Sequence, residues 1–475
     1  MNAELDSFAE MQFSPAPELS GEVPGPRSRE LLDKQAELES NARSYPRKIP
    51  VAIEEGLGAT MRDADGNTFI DFFAGAGVLN VGHSNPVVLE AATDQERRLV
   101  HSLDFPTSTK LGLLEKLKRV LPGTLRKNAR FHFGGPTGSD SVEAALKLVR
   151  GHSGRRGIIA FQGSYHGMTE GALSVTSELA PGRPESSSVH FMPYPYCYRC
   201  PMGLKPDSCQ MACAKLLKTS LSDPRSGIDK PAGVIIEAIQ GEGGTIIPPD
   251  GYLAEVRRIT AEHGIPLIVD EIQTGLARTG EMFACEHDGV SPDVITLSKG
   301  LGGIGYPLSC IAYDQSLDSW APGAHIGTFR GHQVAMAAGS AALDFTLEHD
   351  LPSRARALGE LALELLFAAE PALASIGDIR GRGLMIGIEL VRDRESKEPW
   401  PELALEVCKQ CSKRGLIIEV GGHYANVARF LPPLVITREL LVRGVEIFLQ
   451  ALADTEAVLG QPPIVPAEKP LAGIS

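Results

Sequence analysis

PLIVDEIQTG (266–275) and VITLSKGLGGIGYPLSC (294–310) each open as an apolar run and pass through a charged residue to glycine. Runs of this Val/Ile/Leu character suit strands covered on both faces. The same character recurs in GIIAF (157–161), GVIIE (233–237) and LSCIAY (308–313), with RFHF (130–133) ahead of them. Amphipathic stretches such as YLAEVRRITAEHG (252–264) lie between. Alternating strand and helix patterns predict an α/β chain whose large domain, residues 85–345, is built on a doubly wound, mostly parallel sheet.

The flanks read differently. A helical stretch (355–376) is followed by RGRGLMIGIEL (380–390) and RGLIIEV (414–420), each read as a strand. These predict a smaller α+β domain over 346–459. LGATMRDADGNTFIDF (57–72) looks like a hairpin turning at Asp65-Gly66, so 31–84 is assigned to the same small domain. Residues 1–30, with PAPELSGEVPGPRS, read as a mobile arm, and 460–475 as a flexible tail.

The composition excludes several partners. Fifty-nine acidic against 46 basic residues give a net charge of −13, with no basic block. That argues against nucleic acid and anionic membrane surfaces. No apolar run approaches the roughly 20 residues that span a bilayer. MNAELDSFAEMQF has neither a basic nor an apolar leader region, so the cytoplasm is expected.

Four motifs carry chemistry. RFHF runs into GGPTGSDSVEAALKL (134–148), where a strand hands over to a helix with Ser139 as the expected cap. Free N–H groups at Gly138 and Ser139 would hold a phosphate there. In FQGSYHGMTEGAL (161–173), Tyr165 follows a strand and a glycine turn, so its ring sits at the carboxyl edge of the sheet, where it can stack on a flat ligand. Asp270 ends a buried strand and needs a cationic partner. A protonated pyridine nitrogen is such a cation. Glu271 would face the other way, and Gln273 would reach a ring hydroxyl. Lys299 ends the next strand, near enough to that site for burial to make it a nucleophile toward an aldehyde. Taken singly, each motif also has a structural reading: a capped turn, a packing tyrosine, an Asp capping its turn, a lysine reaching for water.

In this order the motifs resemble the class III aminotransferases of the fold-type-I pyridoxal-phosphate enzymes. The likeness runs from about Gly56 to about Thr437 through YHGMT, IIEAIQGEGG, IVDEIQTGLARTG, TLSKGLGGIGYPL, GTFRGHQVAMAAG and NVARFLPPL. It implies pyridoxal 5′-phosphate as cofactor, Lys299 as the Schiff-base lysine and proton carrier, and Asp270 as the pyridinium partner. Gly138 and Ser139 become the phosphate cradle, Tyr165 the stacking ring, and Gln273 the neighbour of the ring oxygen. Glu237 and Glu242 match acidic positions after the third strand. Thr328 matches a residue that reaches the phosphate in a neighbouring subunit, which implies a homodimer with shared sites. Arg429 looks like the arginine that takes the carboxylate of 2-oxoglutarate or glutamate, covered by Glu242 when an amine donor enters.

Within the family the segments look most like diaminobutyrate aminotransferases. The expected reaction moves the 4-amino group of L-2,4-diaminobutyrate to 2-oxoglutarate by a ping-pong mechanism. Other terminal donors (4-aminobutyrate, ornithine, lysine, taurine, putrescine) would use the same residues, with Tyr45, Phe73 and Tyr165 as candidate lining of the donor pocket. A racemase or epimerase is a second reading, and a non-catalytic pyridoxal-phosphate-sensing module a third. Retention of Arg429 and Glu242 favours transfer over racemisation.

YPYCYRCPMGLKPDSCQMACAK (194–215) carries Cys197, Cys200, Cys209 and Cys213. Their number suits a tetrahedral zinc site, with Cys209 and Cys213 on one helix face. The alternative is a loop of reduced thiols, and the chemistry at Lys299 needs no metal.

Overall fold

The computed structural model describes residues 7–177 and 188–460. Its main sheet has seven strands in the spatial order Ala129–His132, Cys310–Asp314, Val294–Leu297, Leu267–Asp270, Gly233–Glu237, Ile158–Phe161, Val189–Met192. Four neighbouring pairs are parallel, and Cys310–Asp314 runs antiparallel to both of its neighbours. The period of two along each strand explains the double winding. Ile235, Ile268, Val294 and Ile311 pack with Val142, Ala145 and Val149 of helix Gly138–Ser153. Val234, Leu267, Val269 and Ile295 pack on the opposite side with Tyr252, Val256 and Ile259 of helix Tyr252–Glu262. Both faces are therefore apolar, and ligands are left the carboxyl edge.

Two smaller sheets join the ends of the chain. The hairpin Thr60–Asp63/Thr68–Asp71 turns through Asp65-Gly66, with Gly66 N donating to Asp63 O and φ at +86°. Leu416–Ile417 adds to it in parallel beside Ile70 and Asp71. The stretch 380–390 is not one strand. It is the corner of a hairpin, Ile376–Arg382 with Met385–Asp393, turning at Gly383. A Cβ at Gly383 would sit 2.5 Å from the Thr279 carbonyl carbon, so the turn is closely packed. RGLIIEV also divides: Leu416–Ile417 pairs in one sheet, and Glu419–Gly421 pairs with Val427–Phe430 in the other.

Residues 7–30 depart from the mobile arm that their composition suggested. Phe8 is buried against Phe345, and Gln12 Nε2 donates to Val435 O while its Oε1 accepts from Ala59 N. Helix Pro26–Leu38 begins where the Asp65 carboxylate accepts from Arg27 N and Ser28 N, both at 2.8 Å. A few anchoring side chains outweigh a Pro-rich composition. Beyond Gly460 the expected tail lies outside the described residues. Among the described residues no helix is long and apolar enough to cross a membrane.

Candidate active site

The carboxyl ends of the central strands meet at a cavity of about 330 Å³ lined by Gly138, Ser139, Tyr165, Glu237, Glu242, Asp270, Gln273 and Lys299, with Tyr45 and His166. Register explains the meeting. Glu237 pairs with Asp270 across parallel strands, and Asp270 pairs with Thr296, three residues before Lys299. Lys299 leaves its strand at φ +45°, a strained conformation for a residue with a side chain. No hydrogen bond or ion pair holds its Nζ among the described residues. Burial and the nearby Arg429 charge lower its pKa, against Glu419, Glu242 and Asp270. The result is a desolvated amine with enhanced access to its neutral, nucleophilic form.

Asp270 is fixed on three sides. Its Oδ1 accepts from Ile272 N (3.0 Å) and Thr296 Oγ1 (2.9 Å), and Oδ2 lies 2.7 Å from His166 Nδ1. Burial alone would lower the His166 pKa; the Asp270 hydrogen bond and the charges of Asp270 and Glu237 raise it on balance. Glu237 accepts from Tyr165 N (3.0 Å) and Gly241 N (2.8 Å). Burial pushes its carboxyl up to about 7, Asp270 adds to the shift, and His166 opposes it. Glu271 turns to the other face, where Cys285 N and Thr274 Oγ1 donate to it.

The helix cap lies two residues earlier than expected. Thr137, not Ser139, is the N-cap, in a reciprocal box with Asp140. Gly138 and Ser139 are thereby the first helical residues, and their N–H groups meet no acceptor among the described residues. The backbone is crowded there: a Cβ on Gly167 would lie 2.1 Å from Ser139 Oγ, and one on Gly138 would touch Ile272.

Arg429 stands behind the cavity wall, fully buried. Its Nη1 donates to Glu242 Oε2 (2.7 Å) and Glu419 Oε2 (3.1 Å), and Nη2 donates to Gln273 Oε1 (2.8 Å). Gln273 Nε2 in turn donates to Ala76 O (3.0 Å). The half-exposed Glu242 side chain thus covers the arginine from the cavity side. His166 and Glu419 escaped sequence reading. Glu419 could have been found by the argument that found Asp270, because an acid inside an apolar run needs a cation.

Two expected groups lie elsewhere. Thr328 is exposed and outside the cavity, on the turn Thr328–Gly331 beside exposed Ile326 and Phe329. The four cysteines line a small apolar cavity of about 30 Å³. Gln210 and Met211 adopt left-handed conformations (φ +47° and +54°) between Pro206–Cys209 and Ala212–Ser222, so Cys209 and Cys213 do not share one helix face. Among the described residues no three His, Cys, Asp or Glu side chains are placed to hold a metal ion. Phe73 packs on Tyr45, with ring centroids 5.2 Å apart, and does not line the Lys299 cavity.

A half-buried strand-end lysine, a strand-end aspartate and an open helix terminus on one sheet edge define a pyridoxal-phosphate-dependent aminotransferase of fold type I. Residues 41–452 match the class-III aminotransferase family, and the chain belongs to it. It is 43% identical over 420 residues to a diaminobutyrate–2-oxoglutarate aminotransferase of Rhizobium meliloti (strain 1021), covering 86% of this chain and 88% of that protein. A second protein of that name, from Haemophilus influenzae (strain ATCC 51907 / DSM 11121 / KW20 / Rd), is 40% identical over 91% of this chain and 97% of its own length. A leucine/methionine racemase of Thermococcus litoralis is 38% identical over 90% of this chain and 97% of its own. Among solved structures, an ornithine aminotransferase from Toxoplasma gondii, with pyridoxal phosphate at partial occupancy in its active site, superposes with a TM-score of 0.77 at 26% identity. That match covers 91% of this chain and 96% of that one.

Proposed function

We propose that the enzyme moves the 4-amino group of L-2,4-diaminobutyrate to 2-oxoglutarate, giving aspartate 4-semialdehyde and glutamate. The observation that carries transfer is the Glu242–Arg429 ion pair on the wall of the Lys299 cavity. Closed, it presents a neutralised wall to an amine; with Glu242 swung away, the fork of Arg429 can take the keto acid's carboxylate. The donor's identity is supported by the relatives at 40–43% identity that bear that name.

The residues present fit the cofactor. The unpartnered N–H groups of Gly138 and Ser139 suit its phosphate, and Asp270 suits its ring nitrogen. Tyr165 and Gln273 line the same cavity, where Tyr165 would stack on the ring and Gln273 would lie beside the ring oxygen, and Glu237 fixes the Tyr165 backbone. When bound, pyridoxal phosphate supplies an aldehyde to carry the amino group and a ring to accept the electrons released with the proton. With the cofactor bound, Lys299 would hold it, and its amine would carry the proton to and from the donor carbon. His166 holds Asp270 in place through the contact between its Nδ1 and Asp270 Oδ2.

We further propose a homodimer in the cytoplasm, in which Thr328 reaches the phosphate in the partner's site. The exposed apolar side chains Phe105, Ile326 and Phe329 around that turn support it. Sedimentation would show a dimer; a monomer active at the same concentration would refute it. The donor assignment is tested by supplying each terminal amine with 2-oxoglutarate and measuring glutamate. L-2,4-diaminobutyrate should give the highest kcat/KM, and a low rank would overturn the assignment. The relative named a racemase motivates one further arm: loss of substrate chirality without any keto acid would replace transfer by racemisation.

A further inference from the structure

A second cavity, of about 680 Å³, adjoins the first, and Tyr165 and Glu242 line both. Arg199 lies on its wall, at the end of the turn Cys197–Arg199. Two arginines bind the fully buried Glu389 there, in different ways. Arg380 uses its whole fork: Nη1 donates to Asp378 Oδ2 (2.6 Å) and Glu389 Oε2 (2.8 Å), Nη2 to Gly244 O (2.7 Å) and Nε to Thr245 O (3.0 Å). Arg199 uses only Nε, which donates to Glu389 Oε1. Its Nη2 is buried with no partner, and no acceptor meets Nη1 among the described residues. The guanidinium lies 5.4 Å from the Tyr198 ring centroid and 5.3 Å from that of Tyr424, and the side chain is 16% exposed. Among the described residues this clamped, largely desolvated cation therefore leaves the Nη edge of its fork without a protein acceptor, on the wall of a cavity that adjoins the lysine. That edge has the geometry of a bidentate carboxylate receptor.

The two substrates offer matching carboxylates. In L-2,4-diaminobutyrate the carboxylate carbon is three bonds from the reacting C4, and in 2-oxoglutarate the distal carboxylate carbon is three bonds from the reacting C2. One fixed cation can serve both half-reactions. Arg429 is bound by Glu242, Glu419 and Gln273. We propose that Arg199 binds the substrate carboxylate distal to the reacting carbon, and that Glu242 faces the donor's α-ammonium. This rests on the donor reading above. It makes Arg199 the residue that selects amines bearing a carboxylate over simple diamines.

The test compares Arg199→Gln with the wild-type holoenzyme in each half-reaction. For L-2,4-diaminobutyrate and for 2-oxoglutarate, kcat/KM should fall roughly 10- to 100-fold. For 1,3-diaminopropane and pyruvate, which lack the distal carboxylate, it should stay within about threefold. Arg199→Lys, which keeps the charge without the fork, should fall between. If 1,3-diaminopropane turns over too slowly, inhibition supplies the contrast: the glutarate constant should rise about tenfold and the butyrate constant should not. Equal losses with all substrates, or none with diaminobutyrate, overturn the proposal. If another carboxylate-bearing amine proves the preferred donor, the donor reading fails alone, and Arg199 is judged on that amine against its decarboxylated counterpart. If the wild type takes only amines without a carboxylate, both fail.

Discussion

Arg429 and Arg199 are both largely buried and both beside carboxylates, yet they stand in opposite conditions. Arg429 meets two carboxylates and an amide, and every Nη contact it makes is to the protein itself. Arg199 meets one carboxylate through Nε, and its Nη edge has no acceptor among the described residues. The first can accept an anion only after Glu242 moves; the second has no carboxylate on its Nη nitrogens to displace. A site that alternates between an amine and a dicarboxylate needs both kinds: a cation that can be hidden, and one that is always present.

Four changes probe that contrast, in descending order of effect. The arginines matter only as servants of one amine, so Lys299→Ala should lower both half-reactions by at least about 10³-fold while cofactor is retained. Single-turnover assays with each substrate would show it, and a surviving half-reaction would mean that the two arginines serve different centres. Arg429→Gln should slow the 2-oxoglutarate half-reaction roughly 100-fold and the donor half-reaction by less than about threefold, because the donor never uses it. Equal slowing of both would erase the distinction from Arg199. Glu242→Gln should leave Arg429 uncovered, lowering KM for 2-oxoglutarate a few-fold and raising that for diaminobutyrate by about as much. A rise in both values would show Glu242 to be purely structural.

The smallest effect concerns stability and separates the two acids at one strand end. Asp270 is surrounded by donors that hold it at the cavity, whereas burial pushes Glu271 up to about 7, against its donors Thr274 and Cys285. The folded state therefore keeps a proton that the unfolded chain releases near 4.5. Stability falls as pH rises from about 4.5 to about 7 and is level above that. Denaturant midpoints at pH 5 and pH 8 should show the fall, and Glu271→Gln should reduce it by on the order of 1–3 kcal/mol. An unchanged slope would place the titration elsewhere, Glu237 being the other carboxyl raised to about 7.

What the sequence disclosed follows the same physics. Asp270 and Lys299 were legible because a charge ending an apolar run has few structural excuses. Glu419 obeys that rule too, but it sits in a run that the fold divides between two sheets, so its cation was not apparent from one strand. His166 lay hidden beside Tyr165, because only the fold carries its ring to Asp270, 104 positions away. Thr137 was displaced by Ser139 as the expected cap, although the Thr137–Asp140 spacing is itself a capping signature. Arg199 was masked by the cysteines around it. Its unpartnered Nη edge is defined by Glu389, 190 residues later, which takes Nε and leaves the rest. Local chemistry is written in short motifs; the availability of a charged group is set by partners far along the chain.

Transfer from a terminal amine is visible in the two half-reactions taken separately. Purified holoenzyme is mixed with L-2,4-diaminobutyrate alone, the products are counted, and 2-oxoglutarate is then added. The account predicts about one equivalent of aspartate 4-semialdehyde per active site before the keto acid and about one of glutamate after it, with neither from Lys299→Ala. Loss of diaminobutyrate chirality with no semialdehyde formed would contradict it.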